Sequence, residues 1–253
     1  MPQENQFNSE KDGNRWLSYF DILGFSKMCE KNSPKEIFDK LAECREKLKK
    51  RYKKQWADWS RFEFFHFSDS FIIFTRPFDD PEENTPTFAG IEQVSRLFTQ
   101  TVFQNEIPVR GAMSFGKFYA DRDSGIFFGK ALVEACKVSE KCDWGGFVLC
   151  SSAAARMGKE LASEKGTRCL IEEHGSYANY YKRWNIPVHK NRKCENGVEL
   201  GTACRFDISL SKVDREKLLR NLEKMRQQAE KPEEKMKHEH TMNFIRSSSP
   251  ILS

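Results

Sequence analysis

The 253-residue chain has no apolar run approaching the roughly 18 residues that a bilayer-spanning helix needs. Its first residues, MPQENQFNSEKDGN, are polar and lack the apolar core of a secretory signal. The eight cysteines are scattered, with no C-x-x-C pair, and His238 and His240 stand in a charged stretch with no cysteine beside them. That spacing argues against a zinc site and for reduced, mostly buried thiols. There is no internal repeat, no low-complexity tract and no recognisable sensor domain. Basic residues exceed acidic ones only slightly, 42 against 37. A net charge of +5 suits an anionic ligand without demanding nucleic acid. The expectation is a soluble, cytoplasmic protein with no membrane segment and no stable nucleic-acid partner. What is present is core material: 38% hydrophobic residues, 21 of the chain's residues being Phe.

Residues 1–14 read as disordered, 15–210 as one domain and 211–253 as a C-terminal helix and tail. A strand is predicted from Trp16 to Leu23. The stretch SPKEIFDKLAECREKLKKRYKKQW follows as a helix with an apolar face through Ile37, Leu41, Cys44 and Leu48, its basic end reading as a solvated face. RFEFFHFSDSFIIFT reads as two strands joined at Ser68-Asp69-Ser70, because small polar residues between apolar runs mark a hairpin. Its aromatics are mostly core, and so is His66, although sheet-face aromatics also stack bases. RPFDDPEENTPT is an exposed loop, FAGIEQVSRLFTQTVFQ an amphipathic helix, and IPVRGAMSFGKFYAD a strand. GKALVEACKVSEKCD is a helix, GGFVLCSS a strand, and SKVDREKLLRNLEKMRQQAEK a helix ending near Pro232. The segment from about 153 to 210 is mixed and loop-rich. This order fits an α+β sandwich with a ferredoxin-like βαββαβ core, its antiparallel-centred sheet covered by helices on one face.

Asp21 interrupts the apolar run LSYFDILGF. A carboxylate there is costly to bury unless it is paired, caps the next helix, or holds a cation. Asp69 alone is an ordinary hairpin-turn aspartate. In this topology the hairpin pairs beside the first strand, about 4.8 Å away, so the two acids share one site. Two close carboxylates repel unless a cation joins them, and oxygen-only ligands select hard ions such as Mg²⁺ or Mn²⁺. Gly24 opens the backbone, so the amides of Phe25 and Ser26 are placed to meet phosphate oxygens. Two metal ions, a triphosphate and an in-line attack follow as the expected chemistry. Arg110, inside an apolar strand, is either a phosphate ligand or a salt-bridge partner.

FDILGFS, FSDSF, VRGAMSFG and GKALVEACKVSEK together resemble a class III nucleotidyl cyclase catalytic domain over residues 15–155. The compact form with GF, SDS and PVRGA is similar to the pyrimidine cyclases of bacterial Pycsar anti-phage defence. The resemblance implies that Asp21, Asp69 and the Ile22 carbonyl bind two Mn²⁺ or Mg²⁺ ions per site and that Arg110 binds phosphate. It also implies a homodimer with composite active sites, formed head to tail, in which the helix from Gly129 to Glu140 serves the partner. Val133 and Lys137 stand where the family carries Asn and Arg. Lys137 would supply catalytic charge without the planar fork of Arg, or stay a solvated helix charge.

Adenine-selective relatives hold the base with a lysine and an acid. Here Ile126 or Phe127 takes the acid's place and accepts no hydrogen bond, while Lys130 is placed to serve the O4 of uracil. The expected reaction is therefore cyclisation of UTP to 3′,5′-cyclic UMP plus pyrophosphate, a messenger for a separate defence effector. Cytidylate, adenylate and guanylate cyclases, and a non-enzymatic nucleotide- or RNA-binding module of the same skeleton, are the alternatives. A polymerase palm is disfavoured because the chain is too short for fingers and thumb. The loop at 77–87 and the region 156–210 are candidate regulatory surfaces.

Overall fold

The computed structural model describes residues 11–55, 62–157, 181–188, 198–207 and 210–247. The segment β1 (Asp12–Ile22) is followed by helices α1 (Phe25–Lys31) and α2 (Pro34–Gln55), then the hairpin β2 (Phe62–Phe67) and β3 (Ser70–Thr75). Helix α3 (Asn84–Gln104) leads to the long strand β4 (Val109–Asp121), the short β5 (Ile126–Phe128) and helix α4 (Lys130–Lys141). Then come β6 (Gly146–Leu149), α5 (Ser151–Met157), β7 (Tyr181–Pro187), β8 (Val198–Cys204), α6 (Lys212–Gln228) and α7 (Pro232–Arg246). The eight strands form one sheet in the order β2-β3-β1-β4-β6-β8-β7, with β5 paired to β4. The fold is α+β. Its first half is the expected antiparallel β4-β1-β3-β2 sheet, and β6 joins β4 in parallel through α4.

Alternation along β1 divides its residues between two faces. Trp16, Ser18 and Phe20 face α3: the Trp16 ring lies 4.9 Å from Phe88, Phe20 lies 4.8 Å from Phe98, and the Ser95 hydroxyl donates to Ser18 at 2.8 Å. Leu17, Tyr19 and Asp21 face the other way, in register with Ser114, Ala112 and Arg110 of β4. Helix α4 lies across this second face, its Ala131 carbonyl accepting from Ser114 at 2.8 Å. The expectation of helices on one face thus holds for α3, with α2 packed behind it, and fails for α4. Ala131, Ala135 and Ser139 recur at every fourth position and are buried, so α4 presents a row of small side chains to the strands.

Other segments differ from the sequence reading as well: the expected exposed loop RPFDDPEENTPT buries Phe78 and already begins α3 at Asn84. The strand β1 starts at Asp12 rather than Trp16, because the Ala120 amide donates to Lys11 and Lys11 pairs with Asp121 at 2.8 Å. The loop-rich part contains α5, β7 and β8, which extend the core sheet, while most of the proposed 156–210 surface lies outside the described residues. Pro232 begins α7 instead of ending the C-terminal helix, since proline is preorganised for the first helical position. His238 and His240 therefore sit on a docked helix that buries Met242, Phe244 and Ile245.

Gly111 is required by close approach. A Cβ there would lie 2.4 Å from Cδ1 of Phe20 and 2.6 Å from the Tyr19 carbonyl oxygen. Gly111→Ala is expected to lower stability by about 1–3 kcal/mol, the usual range for overpacking. Urea unfolding measures this, and an unchanged midpoint would contradict the packing described here.

Candidate active site

The β1–β3 and β1–β4 pairings bring three polar residues to one level of the second face. Asp21 stands opposite Ser70 on one side and Arg110 on the other. The hairpin tip reverses through Ser68, whose φ of 55° is left-handed, and delivers Asp69 next to Ser70. The Ile22 amide donates to the Asp69 carbonyl at 2.9 Å, which fixes the tip against the end of β1. The two carboxylates are close enough for the charge of Asp69 to raise the Asp21 pKa.

Burial is the largest influence on Asp21 and pushes its pKa above the usual carboxylate value. Arg110 opposes that shift by charge and by a hydrogen bond from Nε to Oδ2 at 2.9 Å, whereas Asp69 and Glu140 add to it. Arg110 also donates through Nη1 to the carbonyls of Glu140, at 3.0 Å, and Cys142, at 3.3 Å. It is thus a salt-bridge partner of Asp21 in this structure, one of the two roles open from sequence. The Tyr19 hydroxyl bonds Ser70 Oγ at 2.8 Å, and burial foremost raises Tyr19 to about 12. Burial likewise raises Cys136 to about 11, with Glu140 and Asp21 contributing.

Tyr19, Ser70, Cys136 and Glu140 were not picked out by sequence reasoning. The helical spacing of Cys136 and Glu140 offered a signal, being one turn apart on the side of α4 that reaches the acids. Lys137 is exposed on the same helix, with Val133, also exposed, one turn before it. At the start of α1, Gly24 adopts φ 75° and supplies no side-chain cap. Helix geometry gives the amides of Phe25 and Ser26 no intrahelical acceptor, so their expected role keeps its geometric basis. Ile126 and Lys130 do not join this cluster. Lys130 begins α4 beside Ala131, whose carbonyl accepts from Ser114, and Ile126 belongs to the far end of the face, where it pairs with Asp121, eleven residues along β4 from Arg110. That is about 35 Å of strand. Ile126 is exposed there, while Phe127 reaches back to pack 4.2 Å from Phe65, which pairs with Ile72, two residues along β3 from Ser70. His66 is also exposed rather than core, stacked 4.2 Å from Phe71 with Nε2 at 2.7 Å from the Ser68 carbonyl.

Among the described residues, no group of three or more His, Cys, Asp or Glu side chains surrounds a cation position. The fit of a divalent ion rests on a smaller donor set. Asp21 and Asp69 supply carboxylate oxygens, Ile22 adjoins them through the backbone, and the raised Asp21 pKa reports a carboxylate that a cation would stabilise. Arg110 already neutralises part of that charge, so a cation bound through Oδ2 would compete with its guanidinium.

No family model matches the chain, and no curated protein matches it. Among solved structures, it is similar to the catalytic core of a rhodopsin-guanylyl cyclase with converted specificity, in complex with ATPαS. The TM-score is 0.48 and the identity 11%, over 77% of this chain and 96% of that one. It is also similar to the adenylyl cyclase CyaB from P. aeruginosa, with a TM-score of 0.43 and 11% identity over 76% of this chain and 94% of that one.

The raised Asp21 pKa sets the sign of a stability effect. The folded state holds the proton more tightly than the unfolded chain, so this group's contribution falls as pH rises through its range and the cost is complete at neutrality. Asp21→Asn keeps an acceptor for Arg110 and removes the charge. It is expected to melt at the same or a higher temperature at pH 7. The difference should shrink towards the ordinary value of 3.8 and vanish below it. Calorimetry at three pH values checks this, and a lower melting temperature at pH 7 would contradict it.

Proposed function

We propose that the chain is a metal-dependent nucleotidyl cyclase that converts a pyrimidine ribonucleoside triphosphate, UTP first, to the 3′,5′-cyclic monophosphate and pyrophosphate. The observation that carries this reading is the placement of Asp21 and Asp69 at adjacent strand ends, beside the uncapped start of α1. Mn²⁺ or Mg²⁺ held there would lower the pKa of the attacking hydroxyl and balance charge on the phosphates. The chain's own groups would orient the substrate: the Phe25 and Ser26 amides towards phosphate, and Arg110 once released from Asp21. Glu140 raises the Asp21 pKa by its charge and so adds to the negative potential that a bound cation would relieve.

One chain does not bring both ends of the sheet to one nucleotide. Ile126 pairs with Asp121, at the end of β4 opposite Arg110 and the acids, whereas Phe65 pairs with Ile72, two residues along β3 from Ser70. A homodimer in head-to-tail arrangement would lay one protomer's acids against the Ile126 end of its partner, with Lys137 serving across the interface. The exposed apolar residues Phe67, Ile126, Phe128 and Val133 support such a covered surface. The pyrimidine assignment rests on Ile126, which offers no acceptor to an exocyclic amine, and on the sequence resemblance. A cytoplasmic role in anti-phage signalling rests on the sequence resemblance alone.

The test offers UTP, CTP, ATP and GTP separately with Mn²⁺ and resolves the products by chromatography. Cyclic UMP is expected as the main product, falling to background in Asp21→Ala and in Asp69→Ala, with circular dichroism unchanged. A purine product would overturn the pyrimidine assignment. No cyclic product from any nucleotide, or near-normal turnover in either variant, would overturn the enzyme.

A further inference from the structure

The second face of the sheet carries a basic cleft at the end opposite the acids. Arg15 lies six residues before Asp21 on β1, about 20 Å along the strand. Together with Arg76, Arg122, Glu63, Phe74 and Pro77 it lines a cavity of about 440 Å³. This is within the size range of small-molecule sites.

The three arginines hold different positions. Arg15 is only 3% exposed, donates through Nη1 to the Thr75 carbonyl at 3.0 Å, and lies over the Phe74 ring at 5.6 Å. Burial draws its pKa down, while the charges of Glu63 and Asp12 draw it up. Arg122 pairs with Glu63 at 2.6 Å and is largely solvent-exposed. Arg76 makes no ion pair among the described residues and is exposed. Three guanidinium groups thus line the cleft with one carboxylate. Held by the Thr75 carbonyl and the Phe74 ring, Arg15 contributes a fixed positive charge to the cleft. The wall of Phe74, Pro77 and Ala120 is apolar.

We infer that this cleft binds a phosphate monoester with an aromatic or apolar substituent, independently of divalent metal. Planar guanidinium forks match phosphate oxygens in pairs. Arg76 and Arg122 would grip the phosphate, Arg15 would supply fixed positive potential from below, and the substituent would rest on Phe74 and Pro77. Glu63 competes with the ligand for Arg122. The site stands apart from Asp21 and Asp69 and does not depend on the proposed cyclase activity.

The probes are phenyl phosphate and inorganic phosphate, titrated calorimetrically into the full chain with EDTA present. Phenyl phosphate is expected to bind, and more tightly than inorganic phosphate. Arg76→Ala and Arg122→Ala should each weaken it about tenfold, the usual effect of losing a charge-assisted hydrogen bond. Glu63→Gln should tighten it by freeing Arg122. Asp21→Ala should leave it unchanged. Both arginine substitutions are at exposed positions, so folding is preserved. The proposal is overturned by no binding at millimolar phenyl phosphate, by equal affinity for the two probes, by indifference to the arginine substitutions, or by loss in Asp21→Ala.

Discussion

The ion pair between Asp21 and Arg110 is the contact on which the candidate site depends. It crosses from β1 to β4, and the same guanidinium reaches two carbonyls at the end of α4. One side chain therefore ties together two strands and the helix above them. Without Arg110, burial and the charges of Asp69 and Glu140 would all oppose ionisation of Asp21. With it, ionisation of the half-buried carboxylate is favoured by a partner that a stronger cation could replace. Removing the arginine alone would leave the buried acid uncompensated, which is worse than removing both.

The C-terminal helices brace this arrangement from outside. Lys27 of α1 pairs with Glu234 of α7 at 2.8 Å, just beyond the loop that follows Asp21. On the other side, His240 Nδ1 lies 2.9 Å from the Asp143 carbonyl and Thr241 accepts from the Gly145 amide at 2.7 Å. Asp143 and Gly145 lie one and three residues after Cys142, one of the two carbonyls that accept from Arg110. Helix α7 thus touches both segments that flank the acids. Its partly buried ion pair contributes modestly, while the buried Phe244, packed 4.5 Å from Trp144, anchors the helix.

The acids were legible because each broke a pattern. Asp21 interrupts an apolar strand, and Asp69 sits between two apolar runs where only a turn fits. The β4-β1-β3-β2 order followed from the sequence of elements. The orientation of α4 was not legible: spacing shows which residues share a helical face but not which face meets the sheet. The row Ala131, Ala135, Ser139 marked the buried side, and reading it would have turned attention from Val133 and Lys137 to Cys136 and Glu140. The charged composition of KPEEKMKHEH hid α7, because its anchoring residues come only in its last turns. Arg110 had two readings because an arginine in an apolar strand shows a need for a partner without naming it.

The central claim is that Asp21 and Asp69 together bind a divalent cation. Titrating Mn²⁺ into the protein and following the free-ion signal by electron paramagnetic resonance tests it most directly. Saturable binding should appear in the unaltered chain and be lost in both Asp21→Ala and Asp69→Ala, while Arg110→Gln retains it. Binding of equal strength in either aspartate variant would contradict the account.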